Sequence, residues 1–156
     1  MPLVFDERHL LSPGVHEATL EEIETHFARF QRTGRRITLF TYLKAYVAAV
    51  QRTGWACSVI IDGSFVMPPV DEPNDIDLIL VMPVNWDMTA DLRPFEYNVV
   101  AKAYTKREYK IEVYPVLPGS ELEQKYLELF QQVRIEWCRQ FGWPADSRKG
   151  IVRILP

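Results

Sequence analysis

The feature that most constrains this chain is a pair of acidic residues set into a strongly apolar segment. Asp75 and Asp77 flank Ile76, and Leu78 and Leu80 continue the run. Alternate residues of a β-strand point to the same side and lie about 6.6 Å apart, so both carboxylates share one face while the apolar side chains enter the core. Two neighbouring carboxylates repel each other, which raises the pKa of one of them unless a cation neutralises it. The pattern therefore predicts a strand that carries a cation site.

Glu112 is a candidate third ligand for that site. Ile111 and Val113 flank it in another β-like run, so Glu112 points to the side opposite two core residues. An unpaired charge among such neighbours is costly, which favours a cation partner. Paired divalent ions in phosphoryl-transfer sites lie about 3.5 to 4 Å apart and prefer carboxylate oxygens. We therefore expect Asp75, Asp77 and Glu112 to bind two Mg²⁺ ions, with Mn²⁺ as the alternative.

A glycine turn precedes the acidic pair. Gly63 and Ser64 follow a short β-branched run, and ten residues separate Ser64 from Asp75. Glycine lets the backbone come close to a phosphate, and serine adds a hydroxyl donor. On its own a Gly-Ser pair is more often an ordinary turn. Its position before the acidic pair makes it a candidate cradle for a triphosphate.

Together, Gly63-Ser64, the ten-residue spacer and Asp75-Ile76-Asp77-Leu78 resemble the signature of the DNA polymerase β-like nucleotidyltransferase superfamily. The resemblance extends from Ile60 to Val116 and includes Glu112 as the third carboxylate. In size the chain is similar to the minimal nucleotidyltransferases of toxin–antitoxin systems. The resemblance implies transfer of a nucleoside monophosphate from an NTP to a hydroxyl of a protein or RNA acceptor. It also implies that the three acids are catalytic, that the glycine and serine bind phosphates, and that a neighbour-encoded toxin or antitoxin is a candidate partner.

The chain departs from that signature around the glycine turn. Asp62 stands where the minimal enzymes usually carry an apolar residue, and no arginine follows Ser64 closely. Pro68 and Pro69 limit any helix that starts at Ser64 to about one turn, because proline is excluded from a helix interior. A basic phosphate contact therefore has to come from elsewhere in the chain.

Two basic groups could supply that contact. Lys102 and Lys106 belong to a basic segment before the third predicted strand, and we expect them to bind phosphate oxygens. The alternative is a solvated helix end, since cations are favoured near a helix C-terminus. Arg148, Lys149 and Arg153 form a second group, which we expect on the surface rather than in the site.

The residues leave a second function open. A catalytically inactive binding protein on the same scaffold, which occludes a partner, also fits, because little chain remains after the third strand to bind an acceptor. The acidic pair could instead be a solvated strand edge, and Glu112 could pair with Lys110 across a strand surface. A stand-alone nucleic-acid-binding module is disfavoured by the formal net charge of -3.

The length of 156 residues and a hydrophobic content of 47% predict one folded domain over 1–156. We expect a mixed α+β fold, a small nucleotidyltransferase-like sheet with flanking helices. Its core would span about 36–141, with N-terminal helices before the first strand and a C-terminal tail as an addition. The last helix would run from Glu121 to about Phe141. The charged N-terminus and short apolar runs predict a cytoplasmic protein without membrane contact.

Overall fold

The computed structural model describes residues 3–155, which form a five-stranded mixed sheet and six α-helices. The α+β fold expected from the sequence is confirmed. The strands are β1 (Gly14–Ala18), β2 (Ser58–Asp62), β3 (Ile76–Val81), β4 (Ile111–Val116) and β5 (Gly150–Ile154). The helices are α1 (Leu20–Phe27), α2 (Arg35–Arg52), α3 (Pro94–Val100), α4 (Lys102–Tyr109), α5 (Glu121–Leu129) and α6 (Ile135–Phe141).

The strands are ordered β1-β5-β2-β3-β4 across the sheet. The outer pairs β1–β5 and β3–β4 are parallel, whereas β2 runs antiparallel to both of its neighbours, β5 and β3. As a result, the end of β2 and the beginnings of β3, β4 and β5 meet at one end of the sheet. That end carries the acidic residues singled out in the sequence.

The two faces of the sheet are covered unequally. On one face, Ile61, Leu78 and Val113 are fully buried under a large core to which α1 and α2 contribute most of the helical side chains. On the other face, Ile60 and Ile79 pack in a smaller cluster with side chains from α5 and the residue after it. The acidic residues belong to this second, more open face.

The order of elements at the N-terminus differs from the expectation. Helices were expected before the first strand, but β1 precedes α1. Within Gly14–Ala18 only Val15 and Ala18 are apolar, which is too weak a pattern to indicate a strand. The segment becomes a strand because it pairs in parallel with β5. Since β5 lies between β1 and β2, the C-terminal segment is an inner strand of the sheet, and the core extends beyond 36–141.

The prediction of one long C-terminal helix from Glu121 to about Phe141 is wrong, because the chain forms two helices there, α5 and α6. Between them the backbone bonds to the segment before β5. The Val133 amide donates to the Ser147 carbonyl over 3.0 Å, and the Lys149 amide donates to the Gln131 carbonyl over 2.8 Å. These long-range bonds replace helical ones, and the turn that results faces the acidic end of the sheet.

Within the described residues, none of the helices is both long and apolar enough to span a membrane. Cys57 and Cys138 are free thiols, so the part of the chain that the structure describes is held together without a disulfide.

Candidate functional site

A row of three carboxylates crosses the sheet at its acidic end. Asp62 on β2 pairs in register with Asp77 on β3, and Asp77 pairs in register with Glu112 on β4. Residues that are register partners point to the same face of a sheet. Asp75 lies just before β3, two residues ahead of Asp77. The structure thus places the three acids predicted from the sequence near one another and adds Asp62 to them.

A cavity of about 530 Å³ opens on this row. Asp75, Asp77, Gly63 and Ser64 all line it. Glu112 is half-buried beside the cavity rather than in its lining, and Tyr114, two residues further along β4, does line it. The volume lies within the range of about 300 to 1,000 Å³ that is typical of small-molecule sites.

The turn at Gly63 requires glycine. Its φ of 91° lies in the left-handed region, which residues other than glycine rarely adopt. A Cβ atom there would lie 3.3 Å from the Asp77 amide nitrogen and 3.4 Å from a carboxylate oxygen of Asp77. The residues after it form one 3-10 turn, Ser64–Val66, as the prolines predict. Glycine therefore lets this turn approach the acidic row directly.

The pKa of Asp77 is raised well above the usual range of an aspartate. The residue is 8% exposed, and its side chain is 11% exposed. The nearest cation is Arg134, whose Nη2 lies 4.0 Å from Oδ2. Burial, followed by the charges of Asp62 and Asp75, raises the pKa of Asp77 to about 7, although Arg134 opposes the shift. A cation placed beside this carboxylate would therefore lower its pKa and stabilise its ionised form.

Asp62 has its own cation. Its carboxylate forms a buried ion pair with Lys149, the residue immediately before β5. The Lys149 ammonium also donates to the Phe130 carbonyl over 2.8 Å. Lys149 is 3% exposed and lines the cavity, so it belongs to the site and not to the surface where the sequence placed it.

The lysines expected to bind phosphate lie near the site without lining it. Lys102 Nζ stands 3.9 Å from the centre of the Tyr114 ring, and Tyr114 lines the cavity. Lys106 is exposed one helical turn further along α4. Of these two described lysines, Lys102 is therefore the better placed to reach a ligand in the cavity.

A buried arginine fixes the loop that follows the glycine turn. Arg36 of α2 is 1% exposed and donates to the carbonyls of Ser64, Phe65, Met67 and Val70. Burial lowers the pKa of its guanidinium to about 10, so it remains charged at neutral pH. Because it holds four carbonyls of one loop, Arg36 fixes the backbone from Ser64 to Val70.

No three His, Cys, Asp or Glu side chains within residues 3–155 are grouped closely enough to hold a metal ion. The carboxylates share a face and an end of the sheet, but they are not gathered around one point. A metal would have to draw Asp75, Asp77 and Glu112 together.

Comparison with protein families matches residues 3–155 to a family described as of unknown function, DUF6932. The chain belongs to the DUF6932 family. The match covers all five strands of this DUF6932 chain, including the β1 and β5 that complete the sheet. No curated protein and no solved structure matches the sequence.

Sequence reasoning missed Lys149 and Arg134 as site residues of this DUF6932 chain. A signal for a partner was present, because Asp62 ends a buried strand and a buried carboxylate needs a cation. Nothing local identified that partner, which lies 87 residues away along the chain. Arg134 could not be identified because the turn between α5 and α6, which carries it, was predicted to be helical.

Proposed function

We propose that this protein is a metal-dependent nucleotidyltransferase that transfers a nucleoside monophosphate from an NTP to a hydroxyl group of a protein or RNA acceptor. The observation that carries the proposal is the register of Asp77 with Glu112 beside a cavity that Asp75 and the Gly63-Ser64 turn also line. Acids on adjoining strands next to a close backbone turn would place a cation beside a phosphate group once the cation draws the carboxylates together.

Three of the carboxylates at this end of the sheet fit a hard divalent cation in charge and in ligand type. Asp75, Asp77 and Glu112 offer carboxylate oxygens, which Mg²⁺ prefers, with Mn²⁺ as the alternative. Burial and the neighbouring acids raise the pKa of Asp77 to about 7, so a cation bound beside it would stabilise its ionised form. When bound, Mg²⁺ would supply Lewis-acid stabilisation of the charge that develops on the phosphate oxygens.

The phosphates would lie along the Gly63-Ser64 turn. Ser64 supplies a hydroxyl donor, and the absence of a side chain at Gly63 lets the turn lie directly against Asp77. Arg134 lines the same cavity and adds positive charge, which replaces the arginine that the turn itself does not carry. Arg134 immediately precedes α6, so this positive charge comes from the turn between α5 and α6.

The reaction would proceed by in-line displacement. Glu112 would accept the proton of the acceptor hydroxyl, and the acceptor oxygen would form a bond to the α-phosphorus. The bond from that phosphorus to the bridging oxygen would break, and pyrophosphate would leave. Positioning and electrostatics supply the catalysis in such a reaction, so the separation of the carboxylates on the sheet matters more than their individual basicity.

Label transfer tests the proposal. Purified protein is incubated with Mg²⁺, a cell extract and each of the four NTPs labelled at the α-phosphate, and labelled protein and RNA are then identified by mass spectrometry. We expect one nucleotide unit on a specific acceptor with the wild type and with Asp91→Asn, which changes an exposed loop acid. Asp77→Asn should abolish the transfer. Equal labelling by Asp77→Asn and the wild type would remove this site from consideration.

The separation of the carboxylates favours a second candidate function, a catalytically inactive binding protein that occludes a partner such as a neighbour-encoded toxin or antitoxin. In that case the site would bind no nucleotide. Calorimetry with Mg²⁺ and each NTP separates the two functions: heat with at least one NTP supports the enzyme, whereas no heat with any NTP and a stable co-purifying partner support the binding protein.

A further inference from the structure

The lining of the cavity has two parts that differ in chemistry. The part at the end of the sheet is polar and contains Asp75, Asp77 and the Gly63-Ser64 turn. The other part, which we call the α5–α6 wall, comes from the end of α5, the turn after it and the start of α6. Its apolar members are Leu129, Phe130, Val133, Ile135 and Trp137. Arg134 is the one charged residue that segment 129–137 contributes to the lining, so the cavity is amphipathic.

The α5–α6 wall leaves apolar surface uncovered. Leu129 is 47% exposed and Ile135 is 40% exposed, although both line a cavity. Trp137 is half-buried in the same lining. Single exposed apolar side chains are common on protein surfaces, but several that line one concave site are typical of a ligand pocket. The wall therefore has apolar area that a ligand can bury.

Arg134 and Trp137 lie close together at the start of α6. The Trp137 amide donates to the Arg134 carbonyl over 3.1 Å, so the two residues share the first turn of the helix. Both side chains line the cavity, and Arg134 Nη2 lies 4.0 Å from Asp77 Oδ2. An aromatic ring beside a guanidinium suits a ligand in which a flat ring is linked to an anionic group.

The α5–α6 wall is anchored to the rest of the fold. The Val133 amide donates to the Ser147 carbonyl over 3.0 Å, which ties the turn to the segment before β5. Trp137 packs against a buried cluster that contains Met67, a residue of the loop after the Gly63-Ser64 turn. The ring of Trp137 is therefore held near that loop. A wall that is already in place costs little ordering entropy when a ligand binds.

We propose that the α5–α6 wall binds the base of the nucleotide, which stacks on the ring of Trp137. Leu129 and Ile135 bury their exposed apolar surface against the same base. The triphosphate extends from there past Arg134 toward the Gly63-Ser64 turn. This inference rests on the proposed function and adds the class of nucleotide. Purine NTPs bind more tightly than pyrimidine NTPs, because a two-ring base covers more of the wall than a single ring.

Substitutions in the wall should separate binding of the base from binding of the phosphates. Trp137→Leu should weaken binding of a purine NTP about tenfold and leave the affinity for inorganic triphosphate unchanged. Trp137→Phe keeps a ring and should retain most of the NTP affinity. Ile135→Ser, which changes an exposed side chain, should weaken purine NTP binding about threefold and spare triphosphate. Arg134→Gln removes a charge and not a ring, so it should weaken both ligands to a similar extent.

The experiment is calorimetry of the full chain in Mg²⁺ with each of the four NTPs and with inorganic triphosphate as separate ligands. Tyr97→Leu, which removes an exposed aromatic ring outside the cavity, is the matched control and should leave every affinity unchanged. Thermal melts verify that each variant folds. If Trp137→Leu does not fold, Ile135→Ser decides, because it changes an exposed side chain and gives the same comparison of NTP with triphosphate.

The outcomes separate this inference from the proposed function. Tighter wild-type binding of purine than of pyrimidine NTPs, with a loss in the wall variants that spares inorganic triphosphate, supports the inference. Wild-type affinities without a purine preference, wall variants that bind NTPs like the wild type, or a parallel loss of NTP and triphosphate affinity overturns it. Each of these results leaves the proposed function standing, as long as the wild type binds an NTP. Failure to bind any NTP overturns the inference and the proposed function alike.

Discussion

Replacement of Asp77 by asparagine should stabilise the metal-free protein, and the gain should depend on pH. Burial and the neighbouring acids raise the pKa of Asp77 from its ordinary value of 3.8 to about 7. Between these values the folded protein retains a proton that the unfolded chain releases. The free energy of unfolding therefore falls as the pH rises from about 4 to about 7, and it stays low above that range. Asparagine is similar in shape and does not ionise, so the free energy of unfolding of Asp77→Asn should not fall in this way.

The size of the gain follows from the two pKa values. Each pKa unit corresponds to about 1.36 kcal/mol. The free energy of unfolding of Asp77→Asn should therefore exceed that of the metal-free wild type by at most about 4 kcal/mol at pH 8 and by almost nothing at pH 4. Mg²⁺ should narrow the difference, because a ligand that binds only the folded wild type stabilises it. The unfolding of Asp77→Asn should respond little to the ion.

Urea unfolding at five pH values from 4 to 8, in EDTA and again in Mg²⁺, measures these free energies. Asp91→Asn is the matched control, since it makes the same chemical change at an exposed position and should follow the wild type throughout. A stability difference between Asp77→Asn and the wild type that stays constant with pH would refute the reasoning. So would an asparagine variant that is less stable than the wild type at pH 8 in EDTA.

Two further substitutions test the walls of the cavity. Gly63→Ala forces a side chain into a left-handed position 3.3 Å from the Asp77 amide and should lower the free energy of unfolding in urea by about 1 to 3 kcal/mol. The same variant should lose NTP binding in calorimetry. Gly34→Ala is the control: a Cβ atom there meets open space, so neither stability nor NTP binding should change. Arg36→Met leaves the carbonyls of the 64–70 loop without their donor and should cost about 3 to 5 kcal/mol, with faster amide exchange in that loop. Exchange that rises equally throughout the chain, or does not rise in that loop at all, would contradict this role of Arg36.

The sequence could predict the strands whose signals are local. The runs that form β2, β3 and β4 are rich in branched apolar residues and are bounded by glycine or proline, so their periodicity alone identifies them. The strand β1 has no such signal and exists because β5 lies beside it. Pairing between segments more than a hundred residues apart leaves no local pattern in either segment, which is why the sequence does not predict β1.

The same distinction holds for the candidate site. Gly63, Asp75 and Asp77 are close in sequence, so their spacing could be read directly, and the register of β3 with β4 then brings Glu112 beside them. Lys149 reaches the site only because β5 pairs with β2. A basic residue near the C-terminus gives no local sign that it will be buried against a strand end, and sequence reasoning could not distinguish it from a solvated lysine.

The most direct measurement is anomalous diffraction at the manganese edge from crystals grown with Mn²⁺ and a non-hydrolysable NTP analogue. The proposed function predicts a manganese peak with oxygens of Asp75, Asp77 and Glu112 within about 2 to 2.5 Å, and a triphosphate beside Gly63. An analogue bound elsewhere, or crystals in which this end of the sheet binds neither metal nor phosphate, would contradict it.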